Sequence, residues 1–199
     1  MSYSEFTLDI LKERFAIKVV EDILLFPNIP IEEIPELLKE WLSRYLLLAT
    51  NINTEKARSE LIITPILAEF KHRYKDKISL YSGTEFSVDI SAGLNGRCDY
   101  ILSRSSEQLS LTSPIIMLVE AKNENIIGGI PRCIAEMIAA QKYNAQRGNP
   151  IEIIFGAVTT GSLWRFLKLE QQSAYVDIVE YPIQNLDKIL GILTLIISQ

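Results

Sequence analysis

The stretch "IIMLVEAKNE", Ile115–Glu124, decides the reading of this chain. Five apolar residues in succession, rather than an alternation, describe a strand covered on both faces and therefore placed in the middle of a sheet. The run then stops at Glu120-Ala121-Lys122. Successive strand side chains point to opposite faces, so Glu120 and Lys122 project to one side and Ala121 to the other. Two ionisable groups thus meet at the end of a buried strand.

Working outward, "RCDYILS" reads as the preceding strand and "SLYSGTEFSVDI" as the one before it, with Phe86, Val88 and Ile90 on one face and "GLNG" as the turn between them. If the second and third strands pair antiparallel, Asp99 near the start of one sits beside Glu120 near the end of the other. Two adjacent carboxylates repel, and a divalent cation relieves the repulsion. Mg²⁺ commonly uses one or two carboxylates, keeps several waters and leaves positions for phosphate oxygens, so Asp99, Glu120 and the Ala121 carbonyl form a suitable incomplete shell. Mn²⁺ can substitute. Lys122 either orients a nucleophilic water and stabilises charge developing on phosphorus or, if burial strips its proton, acts as the base. The competing reading is an ordinary strand-end ion pair, with Asp99 capping a turn.

The flanks complete the pattern. "IIGGIPRCIAEMIAAQKYNAQRG" predicts a helix starting near Pro131 and ending at Gly148, with "IIGGIP" as a loop before it. "IEIIFGAVTT", "LWRFLKLE" and "AYVDIVEY" predict three more strands, and Leu186 onward a final helix. "NINTEKARSELIITPILAEFKHRYKDK" reads as helix from an Asn53 or Thr54 cap, interrupted at Pro65 by a kink or by a new helix capped by Thr64. Upstream, the stripe Ile34, Leu37, Leu38, Trp41, Tyr45 and Leu48 reads as the core face of a helix, whereas "RFAIKVVEDILLF" fits a short strand or a helix equally. Helix, three strands, helix and strands in that order imply an α/β layer domain, a mixed β-sheet flanked by helices.

Composition sets the limits. The 199 residues, nearly half of them hydrophobic, suit one domain with one substantial core. Two cysteines without a CxxC pair and a single histidine, His72, argue against zinc clusters and disulfide frameworks. The net charge of −5 argues against wrapping nucleic acid by charge alone, although residues 51–199 are nearly balanced, with sixteen acids and fifteen bases. Arg58, Arg97, Arg132, Lys142 and Arg165 flank the proposed site, each read singly as solvated surface. No secretory signal opens the chain and the apolar C-terminal stretch is too short to span a bilayer, so the expected location is the cytoplasm, without membrane contact.

With "CD" at Cys98–Asp99 and "EAK" at Glu120–Lys122, the sequence resembles the PD-(D/E)XK nuclease superfamily, whose fold is restriction-endonuclease-like. The run "VEAKNENIIGGIPRCIAEMIAAQKYN" is similar to small members encoded by bacteria, including cyanobacteria, and more distantly to the nuclease domain of type I restriction motor subunits. Cys98 stands where the superfamily has proline. The resemblance covers residues 54–170 and leaves 1–50 as a mainly helical N-terminal addition and 171–199 as a C-terminal strand and helix. It implies metal-dependent hydrolysis of phosphodiester bonds in nucleic acid, DNA first, with a homodimer as one route to cutting both strands. It also implies an extra acid from the first helix, for which Glu60 is the candidate, and a polar residue from the helix after the third strand, for which Gln141 is the candidate. Glu60 competes with the reading of an exposed, locally paired glutamate. Glu136 lies about 140° around the helix from Gln141 and is set aside in its favour. The superfamily contains members that lost catalysis, so a silent module binding nucleic acid or protein is the alternative.

Overall fold

Every side chain from Ile115 to Ala121 is buried, and this strand organises the rest. The computed structural model describes residues 1–199. In chain order the elements are α1 (Leu8–Phe15), β1 (Lys18–Ile23), α2 (Glu36–Ile52), α3 (Glu55–Arg58), a π-helical segment (Ser59–Ile63), α4 (Thr64–Arg73), β2 (Ser79–Glu85), β3 (Arg97–Ser103), β4 (Ile115–Ala121), α5 (Ile126–Gln146), β5 (Ile153–Thr159), β6 (Leu163–Glu170), β7 (Ser173–Pro182) and α6 (Leu186–Ser198). The seven strands form one mixed sheet in the order β1-β7-β6-β5-β4-β3-β2. β4 and β5 pair in parallel across the α5 crossover, β1 is parallel to β7, and the remaining pairs are antiparallel. No helix is long and apolar enough to cross a membrane.

Two apolar clusters lie on the two faces of the sheet. On one, α2, the π segment, α4 and α6 cover Tyr100, Val119, Ala121 and Phe166. On the other, α5 and the N-terminal residues Tyr3, Phe6, Leu11 and Ile17 cover Cys98, Leu118 and Val158. The chain is therefore a three-layer α/β structure with helices on both faces of the sheet.

Residues 1–50 are woven into this architecture rather than appended to it. Tyr3 donates from its backbone to the Asn95 carbonyl (3.0 Å) and from its hydroxyl to the Phe86 carbonyl (2.8 Å), beside β2 and β3. The ambiguous run resolves as strand β1 at the opposite edge, where its alternation is muted because all six of its residues are only half-buried or exposed.

Two further readings change. In α2 the buried stripe is Leu38, Leu42 and Ala49, while Leu37, Trp41 and Leu48 face outward. That helix carries leucines on adjacent stripes, so apolar periodicity alone cannot choose between them. Ile90 is exposed in the turn after β2, whereas Phe86 is buried.

At Pro65 the helix neither stops nor restarts with a cap. The Thr64 N–H bonds to the Ser59 carbonyl, five residues back, and this wider turn carries the chain into α4 with Pro65 in its first turn. Helix α5 starts five residues earlier than the sequence suggests. Asn125 caps it, accepting from Gly128 N–H at 2.8 Å, and Pro131 is accommodated inside. "IIGGIP" is thus helix and not loop. Near its other end, the buried Asn144 accepts from Ile115 N–H (2.7 Å) and donates to the Ile115 carbonyl (2.8 Å), locking α5 to the start of β4.

Candidate active site

Regular pairing of β3 with β4 ends at Tyr100 opposite Val119. One step beyond, Asp99 Oδ2 accepts the Ala121 backbone N–H at 2.8 Å, so a side chain takes over where a strand carbonyl would have served. This brings Asp99 to Glu120, as the antiparallel pairing requires. On the other side, Lys122 N–H donates to the Thr159 carbonyl of β5 at 2.8 Å. Backbone bonds to both neighbouring strands therefore hold the Glu120-Ala121-Lys122 segment.

Glu120 is fully buried and points toward α5. Its Oε1 receives Lys122 Nζ and, at 3.0 Å, Arg132 Nη1. Its Oε2 is buried with no partner. Lys122 Nζ also donates to the Ala121 carbonyl at 3.0 Å and lies 3.6 Å from Glu55 Oε2. The lysine stem runs beside Gly129, where an added Cβ would lie 3.2 Å from Lys122 Cγ and Cε and 2.6 Å from Val158 Cγ1. A glycine at this point of α5 is what lets the helix approach β5 while the lysine passes.

Arg132 reaches the same cluster from α5. Nε lies 3.1 Å from Glu136 Oε1, Nη2 lies 3.8 Å from Asp99 Oδ1, and Nη2 donates to the Arg97 carbonyl at 2.8 Å. Glu136 is fully buried, and its Oε2, like that of Glu120, has no partner.

The electrostatics follow from this crowding. Burial, then the charges of Glu136 and Asp99, raise the Glu120 pKa well above the ordinary carboxylate range, against the pull of Arg132 and Lys122. Burial likewise raises Glu136, with Arg132 opposing. Burial would lower the Lys122 and Arg132 pKa values, but Glu120 first, and then Glu55 for Lys122 and Glu136 for Arg132, leave both raised. A cation raised by an ionised Glu120 and a Glu120 driven toward neutrality are opposing demands. They reconcile if Glu120 and Glu136 titrate as one unit sharing a proton, since that proton lowers the negative charge that Asp99, Glu120, Glu136 and Glu55 set against the two cations.

Not every residue expected at the site is there. Glu60 lies on the exposed side of the π segment, pairs with Lys56 at 3.8 Å, and lines a separate groove with Trp41, Pro65 and His72. Glu55, at the start of α3, is the helix acid that reaches the lysine. Gln141 makes no side-chain hydrogen bond to Asp99, Glu120 or Lys122, and from Arg132 it is nine residues, or about 13 Å, further along the helix axis. The α5 residues at the site are Arg132 and Glu136. A sequence signal for them exists: an arginine and a glutamate at i and i+4 inside the apolar run "PRCIAEMIAA" must share a face. Ala121 offers its carbonyl at the site, but to Lys122.

The other flanking bases are internally engaged. Arg58 binds Asn53 Oδ1 (3.0 Å), the Thr160 carbonyl (2.9 Å) and Ser162 Oγ (3.1 Å), and Arg97 donates to the Gly83 carbonyl (2.9 Å). Lys142 pairs with Asp89 at 2.5 Å and Arg165 with Glu180 at 3.7 Å. Cys98 and Cys133 are free thiols in the core, and His72 is exposed in the last turn of α4.

No three His, Cys, Asp or Glu side chains converge with the spacing of a ready-made metal cage. What is present is a pair of carboxylates, Asp99 and Glu120, one with an orphaned buried oxygen, beside a backbone carbonyl. That donor set is too small for a closed structural site and fits a hard cation that keeps most of its waters. No protein-family model matches the chain, and no curated protein matches it significantly.

Proposed function

We propose that this protein is a Mg²⁺-dependent nuclease of restriction-endonuclease-like fold, hydrolysing phosphodiester bonds of nucleic acid, DNA in the first place. The observation that carries the reading is the meeting of Asp99, Glu120 and Lys122 at the ends of β3 and β4, with Glu120 Oε2 buried and unpartnered. An orphaned buried carboxylate oxygen costs on the order of 1–3 kcal/mol or more, and a cation is the partner that recovers it.

Asp99 and Glu120 would hold the ion, with the Ala121 carbonyl as a third donor. Bound there, Mg²⁺ or Mn²⁺ supplies an acidified water and neutralises charge on the phosphoryl oxygens. Lys122, kept protonated by Glu120 and Glu55, acts as the electrostatic and orienting group rather than as the base. Glu55 positions its ammonium, and Gly129 clears its path. A homodimer is one route to cutting both strands of a duplex.

One observation favours the silent-module alternative. Arg132 already supplies positive charge to Glu120 and Asp99, and most of the other bases around the site are tied to the protein itself. Hydrolysis of labelled single-stranded, duplex and branched DNA and of RNA, in Mg²⁺ or Mn²⁺, separates the two. The nuclease reading requires cleavage that falls by about 100-fold or more in both Asp99→Ala and Lys122→Ala. Mn²⁺ binding through Asp99 without cleavage of any substrate leaves the binding module.

A further inference from the structure

Arg132 does not behave as a surface base. Its guanidinium touches three carboxylates of the cluster, Glu120 at 3.0 Å, Glu136 at 3.1 Å and Asp99 at 3.8 Å, while the side chain keeps 21% of its surface accessible. The two contacts to Glu120 and Asp99 fall on the residues that would hold a divalent ion. The contact to Glu136 is on its own helix, and Glu136 lies against Cys98 of β3. Two of the four carboxylates in the cluster, Glu120 and Glu136, are fully buried, and each leaves one oxygen unpartnered. Asp99, Glu120, Glu136 and Glu55, four carboxylates, face only Lys122 and Arg132, so a third source of positive charge suits the cluster.

We propose that Arg132 is a displaceable countercharge and the residue that contacts the substrate phosphate. In the protein alone it neutralises Asp99 and Glu120. When a divalent cation takes over that task, the guanidinium leaves both, stays tethered by Glu136, and turns toward solvent, where a backbone phosphate is its natural partner. Long arginine side chains reorient in this way while their stems remain packed, and the planar fork suits phosphate. A single exchange then links metal binding to the appearance of a substrate-binding cation. The inference rests on the metal-dependent reading above and adds the substrate-positioning residue and the order of events to it.

Two measurements test it, neither being turnover. In the wild-type protein, phenylglyoxal labelling of Arg132, followed by mass spectrometry, should accelerate at least about 3-fold when Mg²⁺ is added and slow again when a DNA oligonucleotide follows, since free guanidinium groups react and paired ones are protected. Separately, Mn²⁺ titration followed by electron paramagnetic resonance should give about 10-fold tighter binding to Arg132→Gln than to wild type, because a competing charge has been removed, and Asp99→Ala in the same background should abolish it. Unchanged labelling under Mg²⁺, or equal or weaker Mn²⁺ binding by a folded Arg132→Gln protein, overturns the proposal. If the wild type nevertheless binds Mn²⁺ through Asp99 and cleaves, only the role of Arg132 has failed. If neither protein binds Mn²⁺, the metal-dependent reading fails with it. Binding seen in Arg132→Gln alone would make Arg132 a fixed replacement for the ion, and displacement would be wrong.

Discussion

The shared proton of Glu120 and Glu136 should give this protein an unusual stability profile in the absence of divalent ions. Unfolded glutamates release their protons near pH 4.3. In the folded state burial and mutual repulsion hold one proton on the pair well above that value. Between the two, the native state binds about one proton more than the unfolded state, so stability is greatest at the acid end and falls as pH rises. The slope for one proton is about 1.4 kcal/mol per pH unit. From about pH 5.5 to 7.5 the loss is therefore about 2.7 kcal/mol, or roughly 5–11 °C in Tm for a chain of this size. The window is clean. The lowered Asp89 and Glu5 act below the ordinary carboxylate range, and the raised tyrosines, cysteines, Lys122 and Arg132 act above pH 8. Urea denaturation in EDTA at several pH values reads the slope directly. In Glu136→Gln the carboxylate whose charge most raises Glu120 is gone while burial and Asp99 still act on it, so the slope should weaken. A wild-type profile that is level or rises with pH, or a slope undiminished in Glu136→Gln, would refute the shared proton.

Three further substitutions probe the scaffold. Gly129→Ala sets a methyl group 2.6 Å from Val158 Cγ1 and 3.2 Å from the Lys122 stem; overpacking of about 1–3 kcal/mol should exceed the helix-propensity gain of about 1 kcal/mol, giving a lower urea midpoint and weaker cleavage together, and a more stable variant would contradict the crowding. Leu38→Ala should cost about 2–5 kcal/mol, whereas Leu37→Ser, one residue earlier, should stay within about 0.5 kcal/mol. Equal costs in a denaturation series would mean that the outward stripe of α2 is covered after all.

What the sequence could reveal depended on how local each determinant is. β4 is legible because an unbroken apolar run has one comfortable environment, and Asp99 because antiparallel pairing sets the start of β3 beside the end of β4 whatever the length of the connection between them. The helix acid is not. Choosing Glu55 over Glu60 depends on where α3 begins and on the wider π turn after it, and hydrogen-bond register leaves no mark in hydrophobic periodicity. The angle between Glu136 and Gln141 shows only that the two face different ways, not which of them faces β4. The distance along α5 decides the matter: Arg132 and Glu136 lie on the turns that pass the end of β4, and Gln141 lies further along. The outward face of α2 failed for a third reason, since a helix rich in leucine on adjacent stripes offers two equally good core faces.

The path of residues 1–23 has a consequence for how the chain is made. They run from contacts beside β2 and β3 across the α5 face to strand β1, whose only partner is β7. Lys18–Ile23 leaves the ribosome early, but Ser173–Pro182 is synthesised about 150 residues later. At roughly 5–20 residues per second, that edge segment waits about 8–30 s for its mate. During that interval Phe6, Leu11 and Ile17 have no finished surface to cover. Translation rate and chaperone supply should therefore govern the yield of native protein more strongly than the modest length of the chain would suggest.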